Sequence, residues 1–246
     1  MIPFRDENPT RSLPIVVVAL IAANVVVFLH QLLLSDVEQV VFVYTHGAIP
    51  AVLLGGADVV EVLPPPVRAA VLLADLPVHV IQPTWLTILT AMFLHGGLLH
   101  LGGNMLYLWI FGNNVEDVLG HVRFLVFYLV CGALAAAAQI LMSLRSPVPM
   151  IGASGAIAGV LGAYYVKFPH ARVQCLVFLF FFITVVMLPA GLVLLIWFLL
   201  QILNSMGSAQ GGVAFFAHIG GFVAGWALIR RFEPRTRRPR YIPWAR

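Results

Sequence analysis

The chain has 246 residues, 61% of them hydrophobic and only 10% charged, with a formal net charge of +4. Soluble domains carry about 25% charged residues, so this composition excludes an ordinary water-soluble globular protein. It excludes a disordered chain as well, which needs the opposite balance of charge and hydrophobicity. A polypeptide whose solvent is partly lipid fits both numbers.

Five stretches, 12–35, 76–115, 124–144, 146–166 and 173–229, contain no Asp, Glu, Lys or Arg. A membrane-crossing helix needs about 20 predominantly apolar residues. The first, third and fourth stretches have room for one span each, the second for one span and an approach segment, and the fifth for two. The apolar runs are continuous, unlike the alternating segments of about ten residues in a membrane β-barrel. The expected fold class is an all-α membrane protein: a six-transmembrane helical bundle with a long, partly membrane-embedded first outer loop.

In chain order, residues 1–12 are a polar N-terminal lead, followed by a membrane domain over 13–231 and a basic, Pro-rich tail over 232–246 that is expected to be disordered. The apolar run after Arg11 is too long for the core of a cleavable signal peptide, and is read as span one, 14–34. The outer loop 35–84 holds Pro64, Pro65, Pro66 and the pair Gly55-Gly56, and is expected to form short helices lying at the interface. Span two is placed at 97–113, entered through 85–94, span three at 122–143 and span four at 152–168. Pro189 interrupts the apolar run 173–203, and proline breaks or kinks a helix. Span five is therefore placed at 186–204, with 173–185 as a partly buried approach segment. A short flexible loop, 205–213, leads to span six at 214–231. No internal repeat is visible, which argues against an inverted-repeat transporter.

Charge placement orients the bundle. With six spans, Arg5, Arg11, Arg123, Lys167, Arg172 and the seven arginines from Arg230 onward fall on one side, and only Arg68 and Arg145 on the other. By the positive-inside rule both termini are cytoplasmic. The arginine tail is read as an orientation signal that meets anionic lipid headgroups, with no nucleic-acid partner. Cys131 and Cys175 lie in apolar stretches and read as core residues without disulfide or zinc spacing. No cofactor and no metal are expected. Composition suggests a bacterial inner membrane, and nothing in the sequence gives the oligomeric state.

Polar side chains inside a membrane are costly and therefore informative. Three clusters stand out. Gly152-Ala153-Ser154-Gly155-Ala156 opens span four, with small residues recurring at Ala158, Gly159 and Gly162 on one helix face. Ala217-His218-Ile219-Gly220-Gly221 opens span six, and Gly221 and Gly225 repeat the four-residue spacing. His95-Gly96-Gly97-Leu98-Leu99-His100-Leu101-Gly102-Gly103-Asn104 opens span two, where His100 and Asn104 share a face. All three clusters start at the outer side, at a depth on the order of 5–10 Å, and so converge on one level. Small residues let spans four and six approach until Ser154 meets His218. A serine becomes a nucleophile when a base takes its proton, and the oxyanion formed at a carbonyl needs fixed donors. The Ser154 amide, His100 and Asn104 are candidates for that hole. No acid in these spans is available to orient His218, so the reading is a dyad and not a triad.

These residues resemble the rhomboid intramembrane serine proteases. The resemblance is carried by Gly152-Ala153-Ser154-Gly155, by Ala217-His218-Ile219-Gly220-Gly221 with Gly225, and by His100-Leu101-Gly102-Gly103-Asn104-Met105, with Gly112 to Gly120 as a further loop signature. It runs from about Trp85 to Arg231 in the family's order. It implies Ser154 as nucleophile, His218 as general base, and His100 and Asn104 in the oxyanion hole with the Ser154 amide. Gly152, Gly155, Gly159, Gly221 and Gly225 are then helix-packing glycines near the site, and His95 a supporting neighbour. It also implies transmembrane proteins as substrates, cut near helix-destabilised sites with small residues, with access past span five and loop 205–213 as a cap. Two departures are visible. Trp85 is followed by Leu86 where many members carry Trp-Arg, and Ala158 stands where some place an aromatic on the histidine. The support of His218 is thus unassigned. Glu116 is expected to brace its loop, with Arg123 as a possible partner.

Rival readings are weaker. An intramembrane metalloprotease needs His-Glu-x-x-His, which is absent, and an aspartyl protease needs acids within spans. A metal held by His95, His100 and His218 is a conceivable alternative. So is a non-catalytic rhomboid-like protein that binds transmembrane helices.

Overall fold

The computed structural model describes residues 1–179, 182–207 and 214–234. Helix α1 (Ile15–Leu33) is followed by α2 (Asp36–His46) and the short helices α3 (Pro50–Leu53), α4 (Val59–Val62) and α5 (Pro65–Leu73). Two 3-10 turns, Thr84–Leu86 and Ala91–Phe93, flank α6 (Thr87–Thr90). Helix α7 (Leu98–Tyr107) continues through a π-helical turn, Leu108–Gly112, into α8 (Asn113–Leu119). Then come α9 (His121–Met142), α10 (Ser154–Lys167), α11 (Ala190–Gly207) and α12 (Phe215–Phe232). Strands β1 (Ile2–Asp6), β2 (Arg172–Leu179) and β3 (Phe182–Pro189) form one antiparallel sheet in the order β1-β2-β3.

Helix α10 is the axis of the fold. Every residue from Gly155 to Tyr164 is buried, as expected for a helix that is apolar all round. Its glycines allow α12 to touch it along the backbone. A β-carbon on Gly221 would land on the carbonyl oxygen of Gly155, and one on Gly225 on that of Gly159. The ends of the same two helices are tied by the Lys167–Glu233 ion pair at 2.5 Å. Phe111, Phe124, Phe127, Tyr128 and Leu161 fill the core around α10, with Phe111 edge-on to Tyr164.

By length and composition, two helices among the described residues, α1 and α9, are able to cross a membrane. The segments Thr84–Phe93 and Leu98–Leu119, which meet at 84°, make a third if they are one broken span. Helix α10 has 14 residues, a length of about 21 Å, and is wrapped by protein.

The expectation of an all-α fold does not hold at one end of the bundle. Residues 173–185 form no approach segment to a span starting at 186; 172–189 carry the β2–β3 hairpin, which runs from Arg172 opposite Pro189 to Leu179 opposite Phe182. The run is rich in β-branched residues, among them Val173, Val177, Ile183, Thr184, Val185 and Val186, which suit a strand better than a helix. A continuous apolar run has no period that separates the two structures. Helix α11 begins at Ala190 because Pro189 has no amide for a helix interior. The polar lead is also structured: β1 pairs with β2 from Ile2 opposite Leu176 to Asp6 opposite Val173. Residues 208–213 of the expected cap loop and the tail from 235 lie outside the described residues.

The loop after the π turn anchors α1. Glu116, fully buried, accepts the amides of Val16 and Val17 at 2.9 and 2.8 Å, and these are first-turn N–H groups with no partner inside their helix. His121 Nδ1 lies 2.6 Å from the same carboxylate. The partner of Glu116 is therefore His121 and the start of α1, and not Arg123, because α9 begins at His121 and its first side chain covers the acid. Asp117 accepts the Ser12 amide and hydroxyl.

Asp6 closes the sheet onto the bundle: its Oδ2 accepts the Tyr164 hydroxyl at 2.7 Å and the Asn114 amide at 2.9 Å. Burial pushes its carboxyl up to about 6, against 3.8 ordinarily. The folded protein therefore holds this proton more tightly than the unfolded chain, and the stability that Asp6 contributes is fully present below 3.8 and is lost as pH rises through about 6. The thermal midpoint of the detergent-solubilised protein is expected to fall across that window, by up to about 3 kcal/mol in stability at roughly 1.4 kcal/mol per unit. Asp6→Asn should lack that part of the slope; an equal slope in both proteins would refute the assignment.

Candidate active site

The site is built where α7, α10 and α12 begin. Ser154 is the first residue of α10, and His218 lies in the first turn of α12. Their contact follows from the glycine seam, which brings the two helix starts together. The Ser154 hydroxyl and His218 Nε2 are 2.8 Å apart.

Gly152 shapes the turn before Ser154. Its φ is +113°, a region that L side chains rarely adopt. Its amide donates to the Ala91 carbonyl at 2.8 Å. A β-carbon there would stand 2.8 Å from His100 Nε2 and 3.6 Å from Asn104 Nδ2. Gly152 is thus not a helix-packing glycine, as its motif suggested, but a turn residue that leaves room beside two donors. Gly221 and Gly225 lie against the backbone of α10, and Gly155 and Gly159 against Ala135 and Cys131 of α9.

His100 and Asn104 sit on one face of α7 and line the same cavity as Ser154 and His218. The Gly96 amide donates to His100 Nδ1 at 3.3 Å. An acceptor at Nδ1 puts the ring proton on Nε2, the atom beside Gly152. Asn104 Nδ2 is buried and has no hydrogen-bond partner among the described residues. A buried donor left unpaired is costly, and such groups mark places where a ligand completes the bonding.

His95 is 1% exposed and stands edge-on to the His100 ring at 5.0 Å. Its backbone is clamped by Gln31 of α1, which accepts the His95 amide at 3.1 Å and donates to its carbonyl at 3.2 Å. Gln139 of α9 accepts the Ala217 amide at 3.3 Å and holds the start of α12. On the far side of His218, Nδ1 lies 2.9 Å from Gln201 Oε1 of α11. The Trp197 and Phe215 rings flank the imidazole at 5.9 and 6.4 Å.

Three glutamines, Gln31, Gln139 and Gln201, thus hold the site, and the sequence reading passed over all of them. Their signal was available, since each is an amide inside a charge-free apolar stretch. Among the described residues no group of three or more His, Cys, Asp and Glu is placed to hold a metal ion. The cavity measures about 960 Å³ and its wall includes Met150 and Trp197 beside the polar residues. A hydroxyl bonded to an imidazole, next to donors with free capacity, is an arrangement suited to acyl transfer.

Residues 82–233 match the family model described as Rhomboid domain. The chain is 33% identical over 170 residues to Rhomboid protein 1, mitochondrial, of Saccharomyces cerevisiae, covering 62% of this chain and 44% of that protein. It is 33% identical over 146 residues to Rhomboid protease GluP of Bacillus subtilis, covering 59% and 25%. It is 32% identical over 156 residues to RHOMBOID-like protein 6, mitochondrial, of Arabidopsis thaliana, covering 61% and 45%. The chain thus spans less than half the length of each of these relatives.

The Gln31 clamp can be tested apart from any chemistry. Gln31→Leu puts an apolar side chain of similar size in place of the amide and strands a buried N–H and a buried C=O on His95. Each unpaired group costs about 1–3 kcal/mol, so the thermal midpoint should drop by several degrees. A midpoint equal to wild type would show that the clamp contributes nothing.

Proposed function

The chain belongs to the rhomboid family, and on that premise we propose that it is an intramembrane serine endopeptidase. It hydrolyses peptide bonds in or near transmembrane segments of membrane-protein substrates. The observation that carries the reading is the 2.8 Å contact between Ser154 Oγ and His218 Nε2, beside Asn104 Nδ2, a buried donor with no partner among the described residues.

In this reading Ser154 Oγ attacks the scissile carbonyl carbon as His218 Nε2 takes its proton. The new oxyanion is held by the Ser154 amide, His100 Nε2–H and Asn104 Nδ2. The C–N bond then breaks, and His218 passes its proton to the leaving amine. Water, deprotonated by the same nitrogen, attacks the acyl ester and releases Ser154. The amide of Ser154 is free for this role because the first N–H groups of a helix have no partner within it.

The protein is read as a multi-pass membrane protein whose domain covers 13–231, with six spans and both termini on the arginine-rich side. Its partners are transmembrane substrates and lipid. The relatives include mitochondrial proteins of yeast and Arabidopsis and a protein of Bacillus subtilis, and they do not select a bacterial inner membrane.

The test is cleavage of a single-span substrate by purified protein in proteoliposomes. Wild type should cut, Ser154→Ala and His218→Ala should be silent, and Asn104→Ala should lose on the order of 10²-fold in rate. Cleavage by both dyad variants at the wild-type rate would overturn the assignment. If wild type neither cuts nor reacts at Ser154 with a fluorophosphonate probe, the non-catalytic helix-binding reading takes its place.

A further inference from the structure

The contact between Gln201 and His218 has a direction. Gln201 Nε2 donates to the Trp197 carbonyl at 3.1 Å. A carbonyl only accepts, so it selects the NH₂ end of the amide and leaves Oε1 facing the imidazole. His218 Nδ1, 2.9 Å from that oxygen, must then carry the proton. With Nδ1 protonated, the neutral ring has its lone pair on Nε2, which is the atom facing the Ser154 hydroxyl. A chain of hydrogen bonds thus runs from a backbone carbonyl of α11 to the nucleophile, and each link leaves one choice for the next. Gln201 as a residue is only 9% exposed.

We infer that Gln201 is a positioning residue for the proposed hydrolysis, the third member of a Ser154–His218–Gln201 array in which a neutral amide fixes the tautomer and ring orientation of the base. It rests on the dyad reading and deepens it. Gln201 does the orienting task that a buried carboxylate does in serine triads, with one difference: an amide adds no negative charge beside the imidazolium formed during the reaction. The array therefore depends on geometry rather than on charge pairing. It also supplies the support for His218 that the sequence left unassigned.

The experiment is the rate of fluorophosphonate labelling of Ser154 across pH, in detergent and well below each variant's unfolding temperature. In labelling, Ser154 Oγ bonds to phosphorus, fluoride leaves, and His218 takes the proton. The rate therefore reports activation of the nucleophile without any particular substrate. Gln201→Leu and Gln201→Ala should label at least tenfold more slowly than wild type. Gln201→Glu restores an acceptor and should return to within about threefold, with the acid limb of its profile moved up by about one pH unit, because a carboxylate in contact with the ring favours its charged form. A residue that only filled space would leave that limb where it is in wild type. Should all three variants label at the wild-type rate with unshifted profiles while Ser154→Ala and His218→Ala are silent, the positioning role falls and the dyad stands. If His218→Ala labels like wild type, the dyad reading falls and takes this inference with it.

Discussion

The close approach of α10 and α12 is the constraint on which the site depends. Between lipid-embedded helices there is little hydrophobic gain on association, so contact must come from packing and hydrogen bonding. Gly162, Gly221 and Gly225 supply the packing, because backbone of the facing helix stands where their side chains would otherwise keep α10 and α12 apart, while Gly155 and Gly159 make room for Ala135 and Cys131 of α9. The 2.8 Å contact of Ser154 with His218 is the reading at one end of that seam, and the Lys167–Glu233 pair closes the other. The helix that carries Ser154 is also the most buried one among the described residues. The position of Ser154 is thereby set by the whole core and not by its own loop.

Around this seam the protein uses amide side chains as braces. Gln31 joins α1 to the bend at His95, Gln139 joins α9 to the start of α12, and Gln201 joins α11 to His218. An amide carries both a donor and an acceptor and no charge. It can satisfy backbone or imidazole in a low-dielectric interior without the desolvation cost of an ion. Acids serve at the ends of elements: the fully buried Glu116 receives the first amides of α1, Asp117 receives Ser12 just before it, and Asp6 anchors the sheet.

Much of this was legible in the sequence, and the reasons for the rest are physical. The helices of the bundle follow from charge-free apolar runs, and their observed ends at Ile15, His121, Ser154 and Phe215 lie within two residues of the expected ones. Ser154, His218, His100 and Asn104 stood out because polar groups in such runs are rare. The β2–β3 hairpin did not, since an unbroken apolar run has no period, and its β-branched composition was the only clue. Strand β1 was hidden for another reason: its partner β2 is some 170 residues away in the chain, and pairing at that distance leaves no local trace. The glutamines were visible as letters, but their partners are a backbone bend, a helix start and a ring nitrogen, which no spacing rule reveals.

Helix α11 differs from the other carriers of the site. Its outward side chains, including Leu192, Leu195, Leu199 and Leu203, are exposed, and its sequence neighbour on one side is the hairpin rather than another core helix. In a lipid solvent those leucines gain as much from acyl chains as from protein, so hydrophobicity alone does little to hold α11 against α12. Phe198 stacks on Phe222 of α12, and the hydrogen bond between His218 Nδ1 and Gln201 Oε1 adds a directional tie beside it. The dependence is reciprocal. Whatever moves α11 away removes the acceptor at Nδ1, and whatever orients the imidazole for Ser154 also holds α11 in place. A site assembled this way draws Ser154 from the most buried helix and the partner of His218 Nδ1 from a helix whose outer face is exposed.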